Sequence, residues 1–131
     1  MTVPKSVKPT ILVVDDDPDF VEVTRTILTK EGYKVITAAS GDQALQAMKE
    51  NKPNLVMLDV MMATPLEGVG VAHKMAGDAA LREIPVVMCS SIDDSAYAGS
   101  LPDGMHIPID AWMSKPVQPD QLIRTIKRFI K

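Results

Sequence analysis

Apolar and polar positions fall into blocks along this chain, and the blocks change period in a regular order. Ile11 to Val14, Leu55 to Leu58 and Pro85 to Cys89 are short, nearly unbroken apolar runs. Runs of this length bounded by breakers fit strands buried on both faces. Tyr33 to Ala38 reads as a further strand, and a short fifth covers about Ala111 to Met113. Between these runs the spacing is helical. Asp17 as N-cap and Pro18 at the first helical position open a helix. Phe20, Val23, Ile27 and Leu28 supply its apolar side, and Gly32 ends it. Ser40 with Gln43 three residues on is a capping-box signal. Ala44, Leu45 and Met48 line the helix that follows, until Asn51-Lys52-Pro53 breaks it.

After a loop over Val60 to Glu67, a third helix is predicted to about Ala76, with Val69, Ala72 and Met75 inward and Gly77 as its stop. Asp93 to Ala98 has room for one or two helical turns. The segment from Gly99 to Asp110 is crowded with breakers: Gly99, Pro102, Gly104 and Pro108. Pro119 opens a last helix with a stripe of Leu122, Ile123, Ile126, Phe129 and Ile130. Five strands alternating with helices predict an α/β fold, a doubly wound parallel sheet with helices on both faces.

Composition narrows the function classes. A chain of 131 residues is expected to form one domain, with residues 1–9 as a flexible lead-in and 10–131 as the folded unit. The net charge of −3 argues against nucleic acid as a direct partner. Arg124, Lys127, Arg128 and Lys131 form a basic end that suits a helix C-terminus. The single cysteine, Cys89, permits no internal disulfide and reads as a small buried hydrophobe, which favours a reducing, cytoplasmic setting. No apolar run approaches the ~20 residues of a membrane span, so no membrane insertion is expected.

The polar residues of interest sit at strand ends. Asp15 and Asp16 follow the first strand, Asp59 ends the third, Ser90 the fourth, and Lys115 follows the fifth; the second offers nothing obvious. In open parallel sheets, ligands bind beyond the carboxyl ends of the strands. A carboxylate leaving a buried strand is costly unless it reaches a cleft or a partner. Converging carboxylates repel one another, and a hard divalent cation such as Mg²⁺ relieves the repulsion. A lysine and a hydroxyl nearby suit phosphoryl oxygens, and a carboxylate can itself be the nucleophile, forming an aspartyl-phosphate. Asp59, the single central acid, is the nucleophile candidate, with Asp15 and Asp16 holding metal. Asp17 reads as a helix cap rather than a ligand.

The motifs Ile-Leu-Val-Val-Asp-Asp-Asp-Pro (11–18), Leu-Val-Met-Leu-Asp-Val-Met-Met (55–62), Ile-Pro-Val-Val-Met-Cys-Ser (84–90) and Trp-Met-Ser-Lys-Pro (112–116) stand in one order and spacing. In that arrangement the chain resembles a response-regulator receiver domain of two-component signalling. The resemblance implies a flavodoxin-like sheet of order 2-1-3-4-5. It implies that Asp59 accepts a phosphoryl group from a histidine kinase or histidine phosphotransfer protein, with Mg²⁺ as cofactor. Asp16 and Asp59 are then direct ligands, Asp15 assists, and Met61 offers its backbone carbonyl. Lys115 contacts the phosphoryl group, Ser90 is the switch hydroxyl, Trp112 the switch aromatic, and Lys115-Pro116 a cis peptide. Signalling to a downstream protein is expected through the face built by the family's fourth helix, fifth strand and fifth helix. The chain would not be an enzyme beyond self-catalysed phosphoryl acceptance and slow autodephosphorylation, slow because Met61 and Ile92 are apolar where the family tunes hydrolysis.

Two loops depart from the family pattern. Ala63 stands where a proline usually follows the methionine after the acceptor aspartate, and the 99–110 segment is rich in breakers. Trp112 has a plainer reading as a core residue. Three rival functions remain open. One is a pseudo-receiver that binds partners without phosphorylation. Another is a haloacid-dehalogenase-type phosphatase using Asp15-x-Asp17. The third is a calcium loop on Asp15-x-Asp17-x-Asp19, which lacks the glycine required next and has Thr26 where a glutamate belongs.

Overall fold

The computed structural model describes residues 8–59, 67–90, 110–114 and 117–130, with the side chains of 67–69, 90 and 114 left aside. Five strands appear: β1 (Thr10–Val14), β2 (Lys34–Ala38), β3 (Leu55–Asp59), β4 (Val86–Ser90) and β5 (Ala111–Ser114). All four pairings are parallel, and the order is β2-β1-β3-β4-β5, as expected. Four helices lie among the described residues: α1 (Pro18–Lys30), α2 (Gly41–Asn51), α3 (Glu67–Ala76) and the C-terminal helix, α4 (Pro119–Phe129). The third helix begins at Glu67, the residue at which the sequence pattern predicts the end of a loop. The predicted turns over 93–98 and the breaker segment 99–109 lie outside the described residues.

The strict alternation of a strand divides the core in two. Leu12, Val14, Val56, Leu58 and Met88 join Ala44 and Met48 of α2 and Val71, Ala72 and Met75 of α3 on one side. Ile11, Val13, Leu55, Met57, Val87 and Met113 join Leu28 of α1 and Leu122 and Ile126 of α4 on the other. Every residue of β3 is buried, the pattern of a central strand with helices over both faces.

The helix ends follow the local chemistry. The Asp17 carboxylate accepts the Asp19 N–H at 3.0 Å and the Phe20 N–H at 3.4 Å, while Pro18 gives up an N–H that has no partner in a first turn. Asp17→Ala is expected to cost about 0.5–2 kcal/mol in urea denaturation, and Asp17→Asn much less. Gly32, at φ 96°, turns the chain out of α1 in a conformation that favours glycine. Lys52 adopts φ 47° at the end of α2, with Pro53 behind it disfavouring a helical Lys52.

Two expected core positions are corrected. Val23 is 60% exposed, and Thr24 is buried instead. At 100° per residue, Phe20, Thr24, Ile27 and Leu28 cluster, while Val23 points about 85° away from the centre of that stripe. Trp112 is 41% exposed, so the plain core reading fails: Met113 is the inward neighbour on β5.

Tyr33 is buried at the mouth of β2, and its burial, with the Glu31 carboxylate adding to it, raises the phenol above its ordinary value. The neutral phenol is thus the form the fold favours. Its contribution is fully present below the unfolded value near 10 and is lost as pH rises through the higher folded value. Alkaline denaturation curves should therefore fall less steeply for Tyr33→Phe than for wild type.

Candidate functional site at the carboxyl edge of the sheet

In this strand order the chain runs outward from β1 to β2 and then back across to β3, so the switch point lies between β1 and β3. Asp15 leaves β1 and Asp59 ends β3 on that adjacent pair. One carboxylate oxygen from each of Asp15, Asp16 and Asp59 lies within 4.8 Å of the other two. Asp15 and Asp59 are buried, at 2% and 4% exposure, whereas Asp16 is exposed. Two acids held below the surface with a third at the rim make a carboxylate-lined pit.

The pit is held by its backbone. Asp15 Oδ1 accepts the Asp17 N–H at 2.9 Å, and Asp17 in turn caps α1, so the carboxylate of Asp15 is tied to the start of that helix. The Asp15 N–H donates to Ala38 O at 3.1 Å, extending the β1–β2 ladder one step past the end of β1. The groove beside the pit, ≈ 350 Å³ in volume, is lined by Asp15, Asp16, Pro18, Val21, Thr37 and Gln43 among others. The end of β2 and the start of α2 thus border the site, with Thr37 bringing a hydroxyl to the groove from the strand in which the sequence shows nothing obvious. The Ser40–Gln43 signal marked this place in the sequence, but only as a helix start.

Ser90 ends β4, one residue beyond Cys89, which is the register partner of Asp59. The backbone thereby places Ser90 at the same edge as the acids; its side chain lies outside the described residues. So do Met61, Lys115, Pro116 and Ile92, and with them the expected carbonyl ligand, phosphoryl contact and cis peptide. Trp112 stands on β5, the far edge strand, opposite Met88 in register. Asp110, which no sequence motif marks, clamps the entry of β4. Its N–H donates to Val86 O, and its Oδ2 accepts the Val86 N–H, both at 2.8 Å. A lone aspartate before a short strand carries no signal of a partner 24 residues away.

The donor set is all oxygen and carries three formal charges, which suits a hard divalent cation and gives no soft ligand for zinc. The calcium-loop alternative fails on geometry. Asp17 is engaged as the α1 cap and Asp19 lies in the first turn of that helix, so neither joins the described cluster. His73 is exposed on α3 and stands outside it as well.

Comparisons with known proteins agree with this geometry. The family model described as response regulator receiver domain matches residues 11–127. The chain is 35% identical over 124 residues to a protein named probable transcriptional regulator ycf27 from Cyanophora paradoxa, covering 95% of this chain and 49% of that one. It is 32% identical to the DNA-binding response regulator MtrA of Mycolicibacterium smegmatis, covering 89% of this chain and 48% of that protein. The chain thus spans about half the length of the curated relatives it matches. Among solved structures, the receiver domain of NtrX from Brucella abortus superposes with a TM-score of 0.78 at 31% identity, covering 92% of this chain and 97% of that one. With the strand order, the acids at the switch point and the match over residues 11–127 in agreement, the chain belongs to the response-regulator receiver domains of two-component signalling.

Proposed function

We propose that this receiver domain, taken as residues 10–131, is a phosphoacceptor switch that takes a phosphoryl group onto Asp59. The donor is the phosphohistidine of a histidine kinase or a histidine phosphotransfer protein. The observation that carries this reading is the convergence of Asp15, Asp16 and Asp59 at the switch point of the sheet. A carboxylate oxygen of Asp59 attacks phosphorus, the P–N bond breaks, and the imidazole leaves with the bonding pair and takes up a proton. The product is a mixed anhydride on Asp59.

Asp15, Asp16 and Asp59, with the backbone carbonyl of Met61, would hold Mg²⁺, which supplies charge neutralisation and orientation to the phosphoryl oxygens. Asp16 and Asp59 would be its direct ligands, with Asp15 assisting. Lys115 meets the phosphoryl group, with the Lys115-Pro116 bond cis. Ser90 moves toward the new acceptor oxygens, and the exposed Trp112 turns inward behind it. The changed face around β5 and α4 then engages a downstream protein. The match to about half of a DNA-binding response regulator supports an output on gene control, with DNA contact made outside this receiver. Among the described residues no helix is long and apolar enough to cross a membrane; a cytoplasmic site of action is part of the proposal. Nothing beyond self-catalysed acceptance and slow hydrolysis of the aspartyl-phosphate is required of the chain.

The test uses Mg²⁺ and a small acyl-phosphate donor, read by intact mass and peptide mapping. One phosphoryl group on the 55–62 segment is expected, and none after the divalent ion is chelated. A protein that binds Mg²⁺ yet gains no mass would replace this reading with the pseudo-receiver alternative, in which partners bind without phosphorylation.

A further inference from the structure

The peptide group joining Ala38 to Ala39 is held at both ends. Its carbonyl, Ala38 O, accepts the Asp15 N–H at 3.1 Å. Its N–H, on Ala39, donates to the side-chain Oε1 of Gln43 at 3.0 Å. The main-chain N–H of Gln43 donates separately to Ser40 Oγ at 3.2 Å, the ordinary cap of α2. In a usual capping box the side chain at the third helical position returns to the N–H of the capping residue itself. Here it reaches one residue further back, to the N–H of the residue before the cap. The same Ala38–Ala39 peptide also holds the Asp15 N–H. Hydrogen bonds at the two ends of one peptide polarise it and restrain its rotation, and Gln43 lines the same groove as Asp15 and Asp16.

We infer that Gln43 is a positioning residue for the metal and phosphoryl site, acting on Asp15 through the Ala38–Ala39 peptide. The inference rests on the proposed Mg²⁺ reading for its functional consequence. With Gln43 removed, the Ala39 N–H turns to water and the peptide gains freedom to rotate. The Asp15 backbone then loses a fixed acceptor, and the Asp17 N–H holds a carboxylate whose own backbone has loosened. Outer-shell partners of metal-binding side chains commonly set affinity in this way.

The test compares wild type, Gln43→Ala, Gln43→Glu and Ser40→Ala by calorimetric titration with Mg²⁺ alone and by amide hydrogen exchange at Asp15 without metal. Gln43→Ala should weaken Mg²⁺ binding about tenfold and speed exchange at the Asp15 amide. Gln43→Glu keeps the acceptor, so it should retain Asp15 protection and bind Mg²⁺ at least as tightly as wild type. Ser40→Ala removes the α2 cap and should lower Tm while leaving Asp15 exchange and Mg²⁺ affinity near wild type; a purely structural role for Gln43 would make the two alanine variants alike. Unchanged exchange at Asp15 in Gln43→Ala, or the same losses in Ser40→Ala, would overturn the inference. A wild-type protein that binds no Mg²⁺ would overturn the metal reading instead, while exchange at Asp15 would still decide the positioning role.

Discussion

Asp59→Asn is expected to lose phosphoryl uptake completely and yet to melt at a higher temperature than wild type when no divalent ion is present. Both effects come from the same charge. Asparagine keeps the shape of aspartate and one acceptor oxygen but offers no anionic oxygen to attack phosphorus. It also removes one of three carboxylates whose oxygens lie within 4.8 Å of one another, and Asp59 is only 4% exposed. Two like charges about 4 Å apart repel by about 1 kcal/mol in a water-like medium and by about 4 kcal/mol at an effective dielectric near 20. A gain of about 1–3 kcal/mol for the variant falls between these limits.

Adding Mg²⁺ should close the gap or reverse it. A ligand that binds only the folded state stabilises by about 2.7 kcal/mol at a hundred times its dissociation constant, and Asp59→Asn has lost part of the site. Thermal melts with and without Mg²⁺, alongside intact mass after acyl-phosphate treatment, check both arms. A variant that still gains a phosphoryl group would place the acceptor elsewhere. A variant less stable than wild type in the absence of metal would mean that repulsion does not dominate the pit.

The second large effect concerns the strand that delivers Asp59. Leu58 is fully buried and sits between Val14 and Met88 in register. Leu58→Ala should cost about 2–5 kcal/mol, a large share of the roughly 5–15 kcal/mol expected for a domain. The cost combines lost transfer energy with a void the sheet cannot collapse into, since strands on both sides hold the backbone. Urea unfolding should show a lower midpoint at unchanged slope. Val23→Ala, at a position 60% exposed, is the contrast and should stay within about 0.5 kcal/mol. Comparable losses at both positions would contradict the burial assigned to α1.

Much of this protein is written locally. A strand buried on both faces must be apolar throughout, so Ile11–Val14 and Leu55–Leu58 announce themselves without a partner in view. Caps depend on neighbours three residues away, so Asp17 and Ser40 were readable as helix starts. Parallel strands need crossovers, so alternation of strand and helix implied a parallel sheet with its strand ends on one edge. The spacing of Asp15, Asp16 and Asp59 at those ends identified the candidate site, and the ordered motifs pointed to the family.

What the tertiary structure alone decided depends on contacts far apart in the chain or on rotation about an axis. Whether Val23 or Thr24 faces inward follows from how α1 is turned against the sheet, which apolar spacing leaves ambiguous at the margin of the stripe. The exposure of Trp112 depends on its place on an edge strand. The bonds of Asp110 to Val86 cross 24 residues. The double hold on the Ala38–Ala39 peptide joins α2, the end of β2 and Asp15, three segments that become neighbours only once the sheet is assembled. Sequence patterns record which residues a strand or helix requires; they do not record which backbone group a neighbouring element will present to them.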